Sequence, residues 1–85
     1  MDDKVLVNLI VPEIDTSYDI YLPITKKIGN IVILLNRAIN ELSMGVYPIS
    51  STNKLYNATN NTQYSPDVLL YNSDIRNGTH LILVS

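Results

Sequence analysis

The chain has 85 residues, 46% hydrophobic and 16% charged, a composition that predicts one folded domain over residues 1–85 rather than a disordered segment. Its formal net charge is −2 and its six Lys and Arg residues are scattered, which argues against nucleic-acid binding through phosphate contacts. There is no cysteine, which excludes disulfides and thiol chemistry and favours the cytoplasm over secretion.

The first two elements are predicted strands joined by a short polar turn. Residues 4–12, KVLVNLIVP, alternate so that four apolar side chains share one face, and Pro12 ends the strand or lies at its edge. The four are Val5, Val7, Leu9 and Val11. In the segment YDIYLPI, Tyr18, Ile20 and Leu22 alternate with Asp19 and Tyr21. The short connection between the two strands predicts an antiparallel hairpin.

Residues 28–42, IGNIVILLNRAINEL, change to the period of an amphipathic helix. Thr25 is the first choice for its N-cap and Lys27 the alternative, and Gly45 is expected to close it in a left-handed conformation. The apolar stripe is expected to lie on the sheet, with Asn30, Arg37, Asn40 and Glu41 opposite. The stripe comprises Ile28, Ile31, Val32, Leu35, Ala38, Ile39 and Leu42.

The last third of the chain carries weaker signals. A connector leads to a short predicted strand at 54–58, with Leu55 inward and Tyr56 outward. Ser65-Pro66-Asp67 predicts the start of a short helical turn, with Pro at its first position. Asn77-Gly78 predicts a tight turn before the final strand, THLILV, whose Leu81 and Leu83 face the core.

The order of these elements predicts an α+β fold of the β-grasp type. In this arrangement a mixed sheet of four to five strands packs on one central helix. The strand–helix–strand crossover places the first and last strands side by side and parallel in the middle of the sheet.

The sequence resembles ubiquitin and its relatives. The segment YDIYLP…KIGNIVILL is similar to their second strand and helix entry, and DIRNGTHLILV to their closing module. In that module Ile75, Gly78, Leu81 and Leu83 match a buried Ile, a tight turn and two alternating Leu residues. Within this superfamily the chain resembles most the YukD/EsaB proteins of bacterial type VII secretion systems, through its length, YDIYLPITKKIGNIVILL and the closing D-I-x-N-G-x-x-L.

This resemblance implies a cytoplasmic, non-enzymatic accessory protein whose partners are protein components of the secretion machinery. No residue of known function transfers with it. No run of about 18 apolar residues occurs, so no insertion into a membrane is predicted.

The sequence predicts no catalytic, cofactor-binding or metal-binding residues. His80 is the only histidine and has no Cys, Asp or Glu at metal-ligand spacing, so it is interpreted as a half-exposed strand residue. Ser50, Ser51 and Thr52 lack the Gly-x-Ser-x-Gly pattern of an activated serine and are interpreted as a polar loop.

The face of the sheet opposite the helix is the predicted partner-binding site. If Leu81 and Leu83 face the helix, the alternate residues of the last strand face away, together with those of the first and third strands. A second copy of the chain is an alternative occupant of this face. The candidate patch comprises Leu6, Ile10, Tyr56, His80, Ile82 and Val84.

A ubiquitin-like modifier or sulfur carrier is the competing function. That chemistry needs a flexible C-terminal Gly-Gly, because the activating enzyme threads a tail without Cβ atoms. The sequence given ends in LILVS, which favours protein binding over conjugation.

Overall fold

Residues 3–85, which the computed structural model describes, form a four-stranded mixed sheet with one α-helix against one of its faces. The strand order is β2-β1-β4-β3, with β1 antiparallel to β2, parallel to β4, and β4 antiparallel to β3. This arrangement confirms the predicted β-grasp fold, including its central parallel pair. The elements are β1 (Lys4–Val11), β2 (Thr16–Pro23), α1 (Ile28–Leu42), β3 (Lys54–Asn57) and β4 (His80–Val84).

The core lies between α1 and the inner face of the sheet. Alternation places Val7, Leu9 and Val11 of β1 in the core with at most 1% of their surface exposed, as predicted. Leu81 and Leu83 of β4 are fully buried beside them, and Leu55 of β3 extends the same face. Burial of these apolar side chains stabilises the fold by about 1.5–3 kcal/mol for each large residue.

The helix has the predicted bounds, and its inward stripe is confirmed at Ile28, Ile31, Leu35 and Ile39. Leu42 was predicted to belong to this stripe, but 58% of its surface is exposed. It is the last residue of α1, and the chain leaves the helix in a tight turn immediately after it, so the final position of the stripe is not covered.

The amino end of α1 is capped by backbone carbonyls rather than by a side chain. Lys27 occupies the N-cap position, so the prediction of Thr25 is wrong and the alternative is right. The amide groups of Ile28 and Gly29 donate to the carbonyls of Val68 and Pro66, both at 2.9 Å. A loop distant in sequence thus satisfies donors that a local side chain would otherwise have to satisfy.

The carboxyl end of α1 closes in a Schellman arrangement. The Gly45 amide donates to the Asn40 carbonyl at 2.8 Å, and the Met44 amide to the Glu41 carbonyl at 3.0 Å. Gly45 has a positive φ of 85°, in line with its predicted role, but Met44 one position earlier also has a positive φ of 55°. The first left-handed position is therefore occupied by a methionine.

The connector after α1 is held to the helix by two asparagines. Asn36 is buried and donates to the Ser50 carbonyl at 2.8 Å and to Asn53 Oδ1 at 2.5 Å. Asn40, predicted on the polar side, is half-buried because its amide donates to the Tyr47 carbonyl at 2.8 Å. These bonds place the fully buried Tyr47 ring in the core.

The predicted helical turn lies later in the chain than expected. A 3₁₀ turn spans Leu70–Asn72, whereas Pro66 and Asp67 form a simple turn and Leu69 is extended. The Leu70 side chain is fully buried, and Ile75 is buried as predicted. Within residues 3–85, no helix has both the length and the apolar character needed to cross a membrane.

Candidate functional site on the outer face of the sheet

The outer face of the sheet is the surface that α1 leaves uncovered. The inward positions Leu9, Leu55, Leu81 and Leu83 are buried, so alternation directs their neighbours in the strands to the other side. All six residues of the predicted patch therefore share this outer face. Leu6, His80 and Val84 are exposed, and Ile10, Tyr56 and Ile82 are half-buried.

Four of the six residues form one contiguous group, here called the apolar row. Ile10 of β1 lies opposite Ile82 of β4, and Ile82 lies opposite Tyr56 of β3. Val84 is two positions beyond Ile82 on the same strand and the same face. The apolar row thus crosses three adjacent strands, with an aromatic ring at one end.

A polar row crosses the sheet next to this group. His80 lies opposite Asn8, and Asn8 lies opposite Asp19. Asn8 Nδ2 donates to Asp19 Oδ1 at 3.2 Å, and His80 Nδ1 lies 3.2 Å from Asn8 Oδ1. In this arrangement the imidazole Nδ1 donates to the amide oxygen. His80 is exposed, rather than half-exposed as predicted, and belongs to this row.

Leu6 lies on the far side of the polar row, away from the apolar row. Its partner in the ladder is Tyr21 of β2, a ring that is 65% exposed. The tight turn at Asn77 and Gly78 is fastened beside it, because Leu6 donates to Asn77 Oδ1 at 2.7 Å and Gly78 donates to the Leu6 carbonyl at 2.8 Å. The structure therefore splits the predicted patch into two apolar surfaces.

Tyr21 is a surface residue that the sequence pattern placed outside but did not assign to the site. Alternation within β2 directs it away from the core, and a large exposed aromatic ring is a feature of interface residues. Its position beside Leu6 depends on the β1–β2 register. The length of the turn between β1 and β2 could have suggested this register. It could not have shown how far Leu6 and Tyr21 lie from the four residues of the apolar row.

The most perturbed titratable group lies in the core rather than on this face. The Tyr64 hydroxyl donates to Asp74 Oδ1 at 2.6 Å and accepts from Asn57 Nδ2 at 3.0 Å. Burial, followed by the hydrogen bond to Asp74, raises the pKa of Tyr64 to about 12. The phenol therefore stays protonated at neutral pH and holds β3 to the segment before β4.

Tyr47 forms a second buried polar contact in the connector. Its hydroxyl accepts a hydrogen bond from Asn53 Nδ2. Burial, with a smaller contribution from the negative charge of Glu13, raises the pKa of Tyr47. Tyr47 and Tyr64 are therefore hydrogen-bonded core residues, and the hydrogen bonds of their hydroxyl groups involve no residue of the outer face.

The predicted polar loop is stabilised by its own hydroxyl groups. Ser50 Oγ lies 3.0 Å from Thr52 Oγ1 and accepts from the Thr52 amide at 3.1 Å. Among residues 3–85, no three His, Cys, Asp or Glu side chains converge as a metal site would require.

Several solved structures have a similar fold, and two of them are ubiquitin-like domains of EccD proteins. The EccD5 ubiquitin-like domain from Mycobacterium xenopi superposes with a TM-score of 0.78 at 18% identity, covering 98% of this chain and 94% of that one. The ubiquitin-like domain of the Mycobacterium tuberculosis type VII secretion system protein EccD1 has a TM-score of 0.77 at 14% identity, and both chains are covered completely.

A third similar structure is a chain of the MycP5-free ESX-5 inner membrane complex, with a TM-score of 0.79 at 16% identity. The match covers 98% of this chain but only 21% of that one. No protein-family model and no curated protein matches the chain. At these identities the similarity establishes a ubiquitin-like fold.

Proposed function

We propose that the chain is a ubiquitin-like binding module that serves a bacterial type VII secretion machinery. The observation that carries this proposal is the apolar row, which crosses three strands on the face opposite the helix. The structural similarity to the EccD1 and EccD5 ubiquitin-like domains supports the choice of machinery. The partner is a protein component of that machinery.

The finer assignment is to the YukD/EsaB group, and it draws on the sequence resemblance in YDIYLPITKKIGNIVILL and DIRNGTHLILV. Under this proposal the protein works in the cytoplasm, without catalysis and without a cofactor. It forms a single domain over residues 1–85.

The composition of the apolar row suits the centre of a protein interface. Interface cores are enriched in aromatic residues and depleted of charge, and a few such residues carry most of the binding energy. Tyr56 supplies the ring, and Ile10 and Ile82 supply rigid aliphatic surface beside it. The hydrogen-bonded polar row is then the rim on one side, so we place Leu6 and Tyr21 outside the contact.

Affinity capture with paired variants tests the proposal. A tagged copy is expressed in cells that carry type VII secretion genes, and captured proteins are identified by mass spectrometry. We expect a secretion component to be captured, and the double variant Tyr56→Glu/Ile82→Glu to reduce its recovery at least about tenfold. The matched control, Leu6→Glu/Tyr21→Glu, places two charges on the same face beyond the polar row and should retain capture.

Circular dichroism and thermal unfolding establish that both double variants are folded. Recovery of no secretion component contradicts the proposed machinery. Equal loss of capture in the two folded double variants contradicts the proposed surface. Concentration-dependent sedimentation that only Tyr56→Glu/Ile82→Glu abolishes would assign the apolar row to a homodimer instead.

The modifier function is tested in the same cells, because modifiers share the ubiquitin-like fold. Captured material is digested and searched for peptides in which the carboxyl end of this chain is joined to a lysine. Such a conjugate would replace the binding-module proposal with the modifier function.

A further inference from the structure

The open edge of β2 is a surface for protein pairing that is separate from the outer face of the sheet. β2 pairs with β1 over eight consecutive residues without a bulge. It stands at one end of the strand order, so within residues 3–85 no strand covers its other side. The opposite end of the sheet differs, because residues 62–64 already bond the backbone of β3.

The backbone groups on this edge belong to Ser17, Asp19 and Tyr21. Leu6 and Asn8 of β1 direct their backbone groups toward β4, as their bonds to the turn before β4 show. Their ladder partners are Tyr21 and Asp19, and opposite residues of an antiparallel pair face either toward each other or away from each other. The amides and carbonyls of all three residues therefore point away from β1. Among residues 3–85, no group at hydrogen-bonding distance pairs with them.

The strand lacks the features that usually block an exposed edge. Monomeric proteins protect such edges with prolines, lysines, inward-pointing charges or bulges, or keep the edge strand short. In β2 the only proline is Pro23, at the last position, and there is no lysine. Its only charged residue, Asp19, lies on the outer face, where it accepts from Asn8. The edge is therefore competent to pair with another strand.

The sequence of β2 makes this edge complementary to itself. In an antiparallel pair centred on Ile20, Asp19 of one copy lies opposite Tyr21 of the other. Ser17 then lies opposite Pro23, which has no amide hydrogen and acts only as an acceptor. Each outward amide thus finds a carbonyl across the pair. A register centred on Asp19 is disfavoured, because it places two carboxylates directly opposite each other.

The charges at the two ends of β2 favour the same arrangement. Glu13 and Asp15 precede the strand, Lys26 and Lys27 follow it, and all four side chains are exposed. Residues 3 and 4 add one charge of each sign near the basic end. Antiparallel pairing brings the start of one strand to the end of the other, so the acidic end of each copy meets the basic end of its partner.

We infer that two copies of the chain form a symmetric dimer in which their β2 edges pair antiparallel and join the two sheets into one. The two Ile20 side chains meet on the helical side, at a non-hydrogen-bonded position where side chains approach most closely. Tyr18 of one copy lies there opposite Leu22 of the other. Tyr18 and Ile20 are half-buried in the single chain, so pairing covers apolar surface. The apolar row lies on the other strands, so the dimer is independent of the proposed function.

Sedimentation and amide hydrogen exchange of the full chain test this inference. We expect the weight-average mass to rise toward twice the monomer mass between about 5 μM and about 500 μM protein. Over the same range the Ser17, Asp19 and Tyr21 amides should exchange at least about fivefold more slowly, because pairing buries them in a ladder.

Two variants of Asp19 isolate the backbone contribution. Asp19→Pro removes a central donor but leaves the β1 ladder intact, since proline is accepted on an edge strand where its nitrogen faces solvent. It should weaken dimerisation at least about tenfold. Asp19→Ala is the matched control, because it loses the same carboxylate but keeps the amide, and it should dimerise like the unaltered chain. Circular dichroism establishes that both variants are folded.

A charge exchange tests the orientation of the two strands. Asp15→Lys and Lys26→Glu should each weaken dimerisation about threefold or more in low salt, because each places like charges at the ends of the pair. The double variant Asp15→Lys/Lys26→Glu should restore it. A double variant weaker than both single variants would contradict the antiparallel pairing.

Three further results would overturn the inference. One is a chain that stays monomeric up to about 500 μM. Another is unchanged dimerisation in folded Asp19→Pro. The third is a dimer that Tyr56→Glu/Ile82→Glu abolishes and whose formation leaves exchange of the Asp19 and Tyr21 amides unaltered, which would place the contact on the apolar row.

Discussion

Gly29 and Pro66 are in direct contact where the 66–68 loop meets the first turn of α1. The Gly29 amide donates to the Pro66 carbonyl at 2.9 Å. A Cβ atom built on Gly29 would lie 3.0 Å from Pro66 Cβ and 3.1 Å from the Pro66 carbonyl oxygen. The loop therefore approaches the helix this closely because residue 29 has no side chain, and a Cβ there would push the loop back by a few tenths of an ångström.

Substitution of Gly29 by alanine should lower the free energy of unfolding by about 1 kcal/mol. Alanine is favoured over glycine in helices by about 1 kcal/mol, but overpacking against Pro66 costs about 1–3 kcal/mol. The loop must retreat, which lengthens the capping bonds. Urea denaturation measures the change. The control is Asn30→Ala at the exposed next position, which should raise the free energy of unfolding by a few tenths of a kcal/mol. An equal rise in both variants would contradict the close contact between Gly29 and Pro66.

Substitution of Met44 by glycine should raise the free energy of unfolding by up to about 1 kcal/mol. A side chain at positive φ is strained by about 1–2 kcal/mol, partly offset by the greater entropy of unfolded glycine. Met44 is 93% exposed, so little packing is lost. Gly45→Ala should instead lower the free energy of unfolding, because a residue with a Cβ atom is strained at a φ of 85°. The added Cβ would have no atom within 4 Å, so no new packing would offset this strain. Thermal unfolding of the pair checks the opposite signs.

Substitution of Asn36 by alanine should destabilise the protein by about 2 kcal/mol, because the buried Asn36 amide and its half-buried partners Ser50 and Asn53 lose their bonds. Amide hydrogen exchange should accelerate in the 47–53 connector. Asn40→Ala is the graded control, since half-buried Asn40 makes a single side-chain bond to the connector, and should cost about 1 kcal/mol. If amide exchange in the connector stays as slow in Asn36→Ala as in the unaltered chain, the bonds of Asn36 do not hold the connector to the helix.

The stability of the protein should fall in strong alkali through Tyr64. Its folded pKa of about 12 lies above the ordinary value of 10, so its contribution is complete below pH 10 and is lost as the pH rises through 12. Between pH 9 and 12 the unaltered chain should lose about 2 kcal/mol more than Tyr64→Phe, in which this group cannot ionise. Urea denaturation measures the free energy of unfolding of both proteins at each pH. If it falls equally with pH in both, Tyr64 is not the group responsible.

The helix and the strand faces follow from short-range periodicity. Residues 28–42 have apolar side chains at helical spacing, and Val7, Leu9 and Val11 alternate, so each element shows its buried side within a few residues. The Leu42 prediction failed because periodicity does not show where the covering layer ends.

Tyr47 and the 3₁₀ turn at Leu70–Asn72 lie in segments without a regular period. The connector has no repeating pattern that would mark Tyr47 as buried, and its position depends on bonds to Asn40 and Ser43 of the preceding helix region. At the start of α1, Thr25 had the right chemistry for a cap, but Val68 and Pro66 supply the carbonyls from about 40 residues away.

The sequence by itself determined which residues share the outer face, because alternation in a strand is a local property. Only the tertiary structure decided which of them are neighbours. Asn8 and His80 are 72 positions apart, and their pairing in the parallel ladder places a polar row between Leu6 and the apolar row. Strand register depends on the hydrogen bonds and packing of the assembled sheet, so one strand pattern cannot reveal it.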